Sequence, residues 1–172
     1  RSASLYGGYG LRRVYYSAFS PIPDSSAQLP LSKPPLIREH RLYQADWLMR
    51  FYGFSAPEIA SATPDGMLDL AVDPKLGWAL ANRASFPVDV NLAERETLLR
   101  VPGLGVRSVD RILKVRRYRT LRLEDIQSLT RSLDKIRPFI TTLDWTPGGL
   151  TDAVDLKARL VKPQAPEQLS LF

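Results

Sequence analysis

Two glycines, Gly103 and Gly105, stand between apolar runs in "LLRVPGLGVRSVDRIL", residues 98–113. Glycine tolerates positive φ and carries no Cβ to hold another backbone away. A turn built on such residues can aim successive N–H groups outward as an anion nest. The spacing predicts a second helix starting near Val106 and running to about Arg117. Its unpaired first-turn N–H groups and positive dipole end then face the same spot. Arg107, Arg111 and Lys114 fall at i, i+4 and i+7 and form a basic stripe. Val109, Ile112 and Leu113 form the helix's buried face, and Leu104 is expected to turn inward and pin the turn. The chemistry is the gripping of a sugar–phosphate backbone, with no bond made or broken. Gly103, Leu104, Gly105, Val106, Arg107 and Ser108 would hold the phosphates. Arg111, Lys114, Arg116 and Arg117 would add nonspecific affinity.

The charge distribution agrees. The net charge is +6, and residues 100–122 hold eight basic residues with Asp110 as the only acid. A basic patch of this density is the footprint of a polyanion partner. Other chemistries find little support. The chain has no cysteine, which excludes disulfides and thiolate-held metals or clusters. That composition fits a reducing, cytoplasmic setting. Asp69 and Asp73 are four apart, yet no third ligand lies near them, so capping and surface roles are expected. His40, the single histidine, is expected on a helix surface or at the edge of the core, with service to an upstream active site as the alternative. Lys33 and Arg38 are too isolated to build on. No apolar run is long enough to span a membrane, and "RSASLYGGYG" lacks the apolar core of a signal peptide.

Several elements must position the hairpin. "LRRVYYSAFSPIP" (11–23) reads as a strand rich in Val14, Tyr15, Tyr16 and Phe19, and residues 24–36 as a proline-rich loop. Residues 37–54 read as the strongest helix, stopped by Gly53. Residues 55–70 hold a short helix and the turn Pro64-Asp65-Gly66; residues 73–87 hold another, with Pro74 in its first turn. Asn91 is expected to cap the first hairpin helix, with Glu94 completing a capping box. "LRLEDIQSLTRSLDKIRPFI" then repeats the apolar helical spacing at Leu123, Ile126, Leu129, Leu133 and Ile136, without a second glycine turn. It is expected to bury the hairpin's open side. Arg131, Lys135 and Arg137 are expected to add phosphate contacts. A short amphipathic helix and a linker fill 145–167.

The hairpin resembles a helix-hairpin-helix motif, on Val101, Gly103, Leu104, Gly105, Val109 and Ile112; its usual alanine-like site holds Val109. The resemblance implies DNA binding without base reading, and in such families a monovalent cation often sits on hairpin carbonyls. The terminal "QLSLF", Gln168, Leu169, Ser170, Leu171 and Phe172, resembles the peptide by which bacterial repair proteins and polymerases bind the β sliding clamp. Leu171 and Phe172 would fill an apolar pocket on the clamp, and Gln168 would donate and accept amide hydrogen bonds. The linker from Lys162 to Glu167 would give it reach.

The whole is similar to the C-terminal half of a family of radical-SAM proteins of DNA modification and repair. These accompany, or are fused to, a uracil-DNA glycosylase-like protein. The stretches that carry the resemblance are "VYYSAFSPIP" (14–23), "REHRLYQADWLMRFYGF" (38–54), "FPVDVN" (86–91), the hairpin and "RPFI" (137–140). The family's S-adenosylmethionine and [4Fe–4S] cluster are implied only for an intact parent, because its CxxxCxxC triad is missing here. The opening "LYGGYG" departs from the family pattern, and the chain starts at Arg1, so a piece of a longer protein is expected.

These readings combine into one expectation. The fold is mainly α: residues 1–54 form the closing strand and helix of a radical-SAM α/β barrel, 55–90 a helical connector, 91–144 a degenerate tandem helix-hairpin-helix domain, 145–167 a short helix and linker, and 168–172 the clamp-binding tail. No catalytic residue or metal ligand is assigned, although Tyr15, Tyr16 and Tyr43 could line a nucleotide pocket in an intact barrel. The expected role is the DNA-binding, clamp-tethered portion of a nucleoid-associated repair or modification enzyme. The alternatives are a non-enzymatic adaptor between clamp and repair protein and, more remotely, a structured-RNA binder.

Overall fold

In a computed structural model the chain is described over residues 2–10, 13–17, 19–21, 32–63 and 65–161. It is mainly helical. In chain order the helices are α1 (Ser2–Tyr9), α2 (Leu36–Phe51), α3 (Ala56–Ser61), α4 (Pro74–Ala81), α5 (Arg95–Arg100), α6 (Val106–Val115), α7 (Leu123–Leu129), α8 (Leu133–Ile136) and α9 (Leu156–Leu160). Two short strands, β1 (Val88–Asp89) and β2 (Ile140–Thr141), pair in parallel, Val88 opposite Ile140 and Asp89 opposite Thr141. Among the described residues no helix is long and apolar enough to cross a membrane.

Local signals set most helix ends. α2 stops where Gly53 takes φ 71°, a conformation that costs glycine little. Ser55 opens α3 with a full capping box: its side chain accepts from Glu58 N–H, and the Glu58 carboxylate accepts from Ser55 N–H. Asp73 caps α4 by accepting from Leu76 N–H at 3.0 Å, and Pro74 fills the first helical position. Asp69 accepts from Lys157. Both aspartates thus have structural work, and among the described residues no group of three His, Asp or Glu could hold a metal.

The strand expected over 11–23 does not form in its described residues. A strand needs a neighbour to take its backbone bonds. Here helix side chains take them instead. Tyr43 Oη accepts from Tyr16 N–H and donates to Tyr16 C=O, each at 3.0 Å, and Tyr6 Oη accepts from Val14 N–H at 3.1 Å. Tyr6 in turn donates to buried Asp46.

Asn91 also departs from expectation. It does not cap α5, which begins at Arg95 with Glu94 at the N-cap and no side-chain cap. Its amide instead bridges to Leu121, accepting from Leu121 N–H at 2.7 Å and donating to Leu121 C=O at 3.2 Å. Asp89 holds the turn before α5, its carboxylate accepting from Asn91 N–H at 2.7 Å. A long-range demand for paired backbone at fully buried Leu121 has outbid the local capping role.

The core is continuous from Ala45 and Leu48 of α2 to Leu160 of α9. Phe54, Trp78, Phe86 and Phe139 meet edge to face in sequence, at centroid spacings of 5.3, 6.2 and 5.0 Å. Around the hairpin, Leu98, Val101, Val109, Ile112, Leu121, Ile126 and Ile136 are fully enclosed. Helices α7 and α8 therefore pack over the hairpin, with Ile126 and Ile136 buried beside it.

Candidate nucleic-acid interface

α5, the turn from Val101 to Gly105 and α6 form the hairpin. Leu104 is 1% exposed and its N–H donates to Val101 C=O at 3.2 Å, which closes the turn. Gly103 takes φ 84°, and a Cβ there would lie 2.8 Å from Ile136 Cγ1. Glycine is required at 103 on both counts.

Gly105 is different. The expectation of positive φ fails, because its φ is −91° and ψ 165°, ordinary extended backbone. A Cβ there would meet only the Tyr52 hydroxyl, at 3.7 Å, an ordinary contact. Neither conformation nor packing demands glycine at 105. The N–H groups of Gly105, Val106, Arg107 and Ser108 have no acceptor among the described residues. Four successive donors thus converge at the positive end of α6.

From that point basic side chains run along the helix and past its far end. Arg107, Arg111, Lys114 and Arg117 are exposed and have no charged partner among the described residues. Asp110, the acid within the stretch, is paired with Arg95 at 3.0 Å. Other expected contacts are otherwise engaged. Arg116 turns into the protein and donates to Val90 C=O at 3.1 Å and Ala93 C=O at 2.7 Å. The Ser108 hydroxyl donates to Leu129 C=O at 3.2 Å, so only its backbone faces outward. Lys135 lies 3.7 Å from the Asp73 carboxylate, and Arg137 is stacked on Trp145 at 4.4 Å. Arg131 remains exposed. Leu113 is only partly buried, and α6 ends at Val115, two residues short of the expected Arg117.

One residue that sequence reasoning passed over stands behind the hairpin. Lys75 on α4 is 7% exposed, and its ammonium donates to Leu104 C=O at 2.5 Å. The Tyr52 ring lies 4.6 Å from its Nζ. A hairpin carbonyl of the kind on which the resemblance places a cation thus holds a lysine. Burial pushes the Lys75 pKa down to about 7, against a smaller opposing pull from the Asp73 carboxylate. Below pH 7 the lysine is charged in both folded and unfolded chains, and the fold bears the full cost of burying that charge. Between pH 7 and the usual lysine value near 10.5 the unfolded chain holds a proton that the folded chain has released. Stability therefore rises with pH through this window, by up to about 1.4 kcal/mol per unit. Urea midpoints at pH 6.5, 7.5 and 8.5 are expected to climb in that order. Lys75→Met should remove the climb; a climb that persists in the variant would refute this assignment.

Beside Lys75 a cleft of about 320 Å³ opens between α2, the start of α4 and the hairpin. Its walls include Gln44, Trp47, Tyr52 and the backbone of Gly103–Gly105. His40 is exposed on α2; Tyr16 and Tyr43 meet edge to face at 5.2 Å, and Tyr15 lies under the Arg13 guanidinium. The chain has no cysteine, so its residues do not fit an iron–sulfur cluster. The tail residues Gln168, Leu169, Ser170, Leu171 and Phe172 lie outside the described residues.

No family model matches the chain, and neither the curated proteins nor the solved structures give a match.

Proposed function

We propose that this chain binds DNA by its sugar–phosphate backbone, without reading bases, through the hairpin and the exposed face of α6. The observation that carries this reading is a coincidence on one helix. The four acceptor-free N–H groups at Gly105–Ser108 and the unpaired Arg107, Arg111 and Lys114 belong to the same first three turns. Backbone donors and a positive helix end favour a phosphate, and nearby flexible cations add affinity without sequence preference. Gly105, unconstrained by the fold, keeps the approach open.

The wider role rests on sequence likeness. The "QLSLF" end would tether the DNA-binding portion to a β sliding clamp, within a bacterial radical-SAM enzyme of DNA repair or modification whose cluster and S-adenosylmethionine belong to residues outside this chain. A uracil-DNA glycosylase-like protein would be its companion.

Gly105→Asp tests the DNA-binding core of the proposal. The aspartate fits the backbone conformation but sets a carboxylate against the incoming phosphate. Anisotropy of a labelled duplex is expected to show at least a roughly tenfold loss of affinity with an unchanged circular dichroism spectrum. A chain lacking Gln168–Phe172 should keep wild-type DNA affinity. Unaltered binding by Gly105→Asp would sink the hairpin assignment.

A further inference from the structure

We infer that the cleft beside the hairpin receives one unstacked base of a DNA strand whose phosphate lies on the hairpin. The inference rests on the phosphate-binding reading above and extends it from backbone to base.

Three observations point to this occupant. First, the cleft and the hairpin are continuous: Gly103, Leu104 and Gly105 form one of its walls, so a strand anchored at the turn runs past its mouth. At Gly105 the missing side chain leaves that mouth open towards the Tyr52 hydroxyl.

Second, the opposite wall presents an aromatic face to solvent. Trp47 lines the cleft and is 54% exposed; Phe51, one turn on along α2 and outside the lining, is tilted against it with ring centroids 4.3 Å apart. A large ring left half in water on the wall of the cleft is a stacking surface, because every base has a face to lay on it.

Third, the polar lining suits a base edge. The Gln44 carbonyl accepts from Arg41 at 2.8 Å, which leaves its NH₂ group free to donate among the described residues. Lys75 also lines the cleft, its Nζ donating to the Leu104 carbonyl. The cleft's mixture of rings and a few polar groups is the usual character of a small-ligand site.

A fully paired duplex offers no free base to such a cleft without extruding one, whereas a single strand does. The test compares oligothymidylate with a fully paired duplex, using the full chain, the surface variant Trp47→Ala and the conservative Trp47→Phe. Trp47→Ala is expected to weaken oligothymidylate binding roughly tenfold and to change duplex binding less than twofold. Trp47→Phe should restore most of the loss. Addition of oligothymidylate should quench tryptophan emission in the wild type, and the quenching should vanish in Trp47→Phe. If Trp47→Ala leaves oligothymidylate binding intact, or weakens both ligands equally, the base cleft is refuted while salt-sensitive duplex binding keeps the backbone reading alive. If neither nucleic acid binds the wild type, both readings fall together.

Discussion

Gly103→Ala is expected to lower the melting temperature by about 5–15 °C. Two costs combine. At φ 84° an L-residue enters the left-handed region, at roughly 1–2 kcal/mol. Its Cβ would also press to 2.8 Å from Ile136 Cγ1. That atom is the inner part of a fully buried side chain, not a flexible end, so the facing helix α8 must shift. Such overpacking costs about 1–3 kcal/mol. For a chain of this length each kcal/mol moves the midpoint by roughly 2–4 °C. Gly105→Ala is the internal control, because its backbone is ordinary and its Cβ contact relaxed; its midpoint should match the wild type. Calorimetry of the two variants separates a glycine that the fold requires from one that it does not. Equal midpoints would show that α8 does not seat against the turn as described.

The second large effect is electrostatic. Replacing Arg107, Arg111, Lys114 and Arg117 with glutamine should remove about four phosphate contacts. Each neutralised phosphate contributes about 0.9 to the slope of log affinity against log salt. The wild type should therefore lose on the order of a hundredfold in affinity between 50 and 200 mM salt through these groups alone. The fourfold variant should bind weakly at both salts with a nearly flat dependence. Arg116→Gln should behave oppositely. It would unfold more easily, because Val90 and Ala93 C=O lose their donor, while the salt slope stays as it was. A slope insensitive to the four exposed residues would remove nucleic acid from consideration.

How far the sequence led depended on the range over which each signal acts. The glycine turn, inward Leu104 and buried Val109 and Ile112 were legible because pattern and structure act over a few neighbouring residues. The same periodicity held information that the basic count obscured. Ser108, Ile112 and Arg116 are spaced by four, so they share the buried side of α6, and a cation on that side had to find acceptors within the protein. Asn91 was misread because a good capping residue was competing with a backbone thirty positions away. The strand at Val14–Tyr16 had the right composition, but tyrosine hydroxyls supplied what a neighbouring strand would have. Lys75 carried no signal in its own segment: only the packing of α4 against the hairpin gives a buried ammonium a carbonyl to meet. Trp47 was legible as a member of a helix and Tyr52 falls just past its end, and their place on the cleft wall was not legible.

The parallel pairing of Val88–Asp89 with Ile140–Thr141 has a consequence for the timing of synthesis. Parallel neighbours need a long crossover, and here the crossover is the entire hairpin unit. A nascent chain is made from its N-terminus, so β1, α5 and the glycine turn leave the ribosome before β2 does. Until Ile136 and Ile140 follow, Gly103 has nothing to lean on and the loop has no fastening. The glycine turn is therefore fastened late and at once, when the last strand closes the circuit, and an incomplete chain carries the basic residues without the packing that fixes their helix.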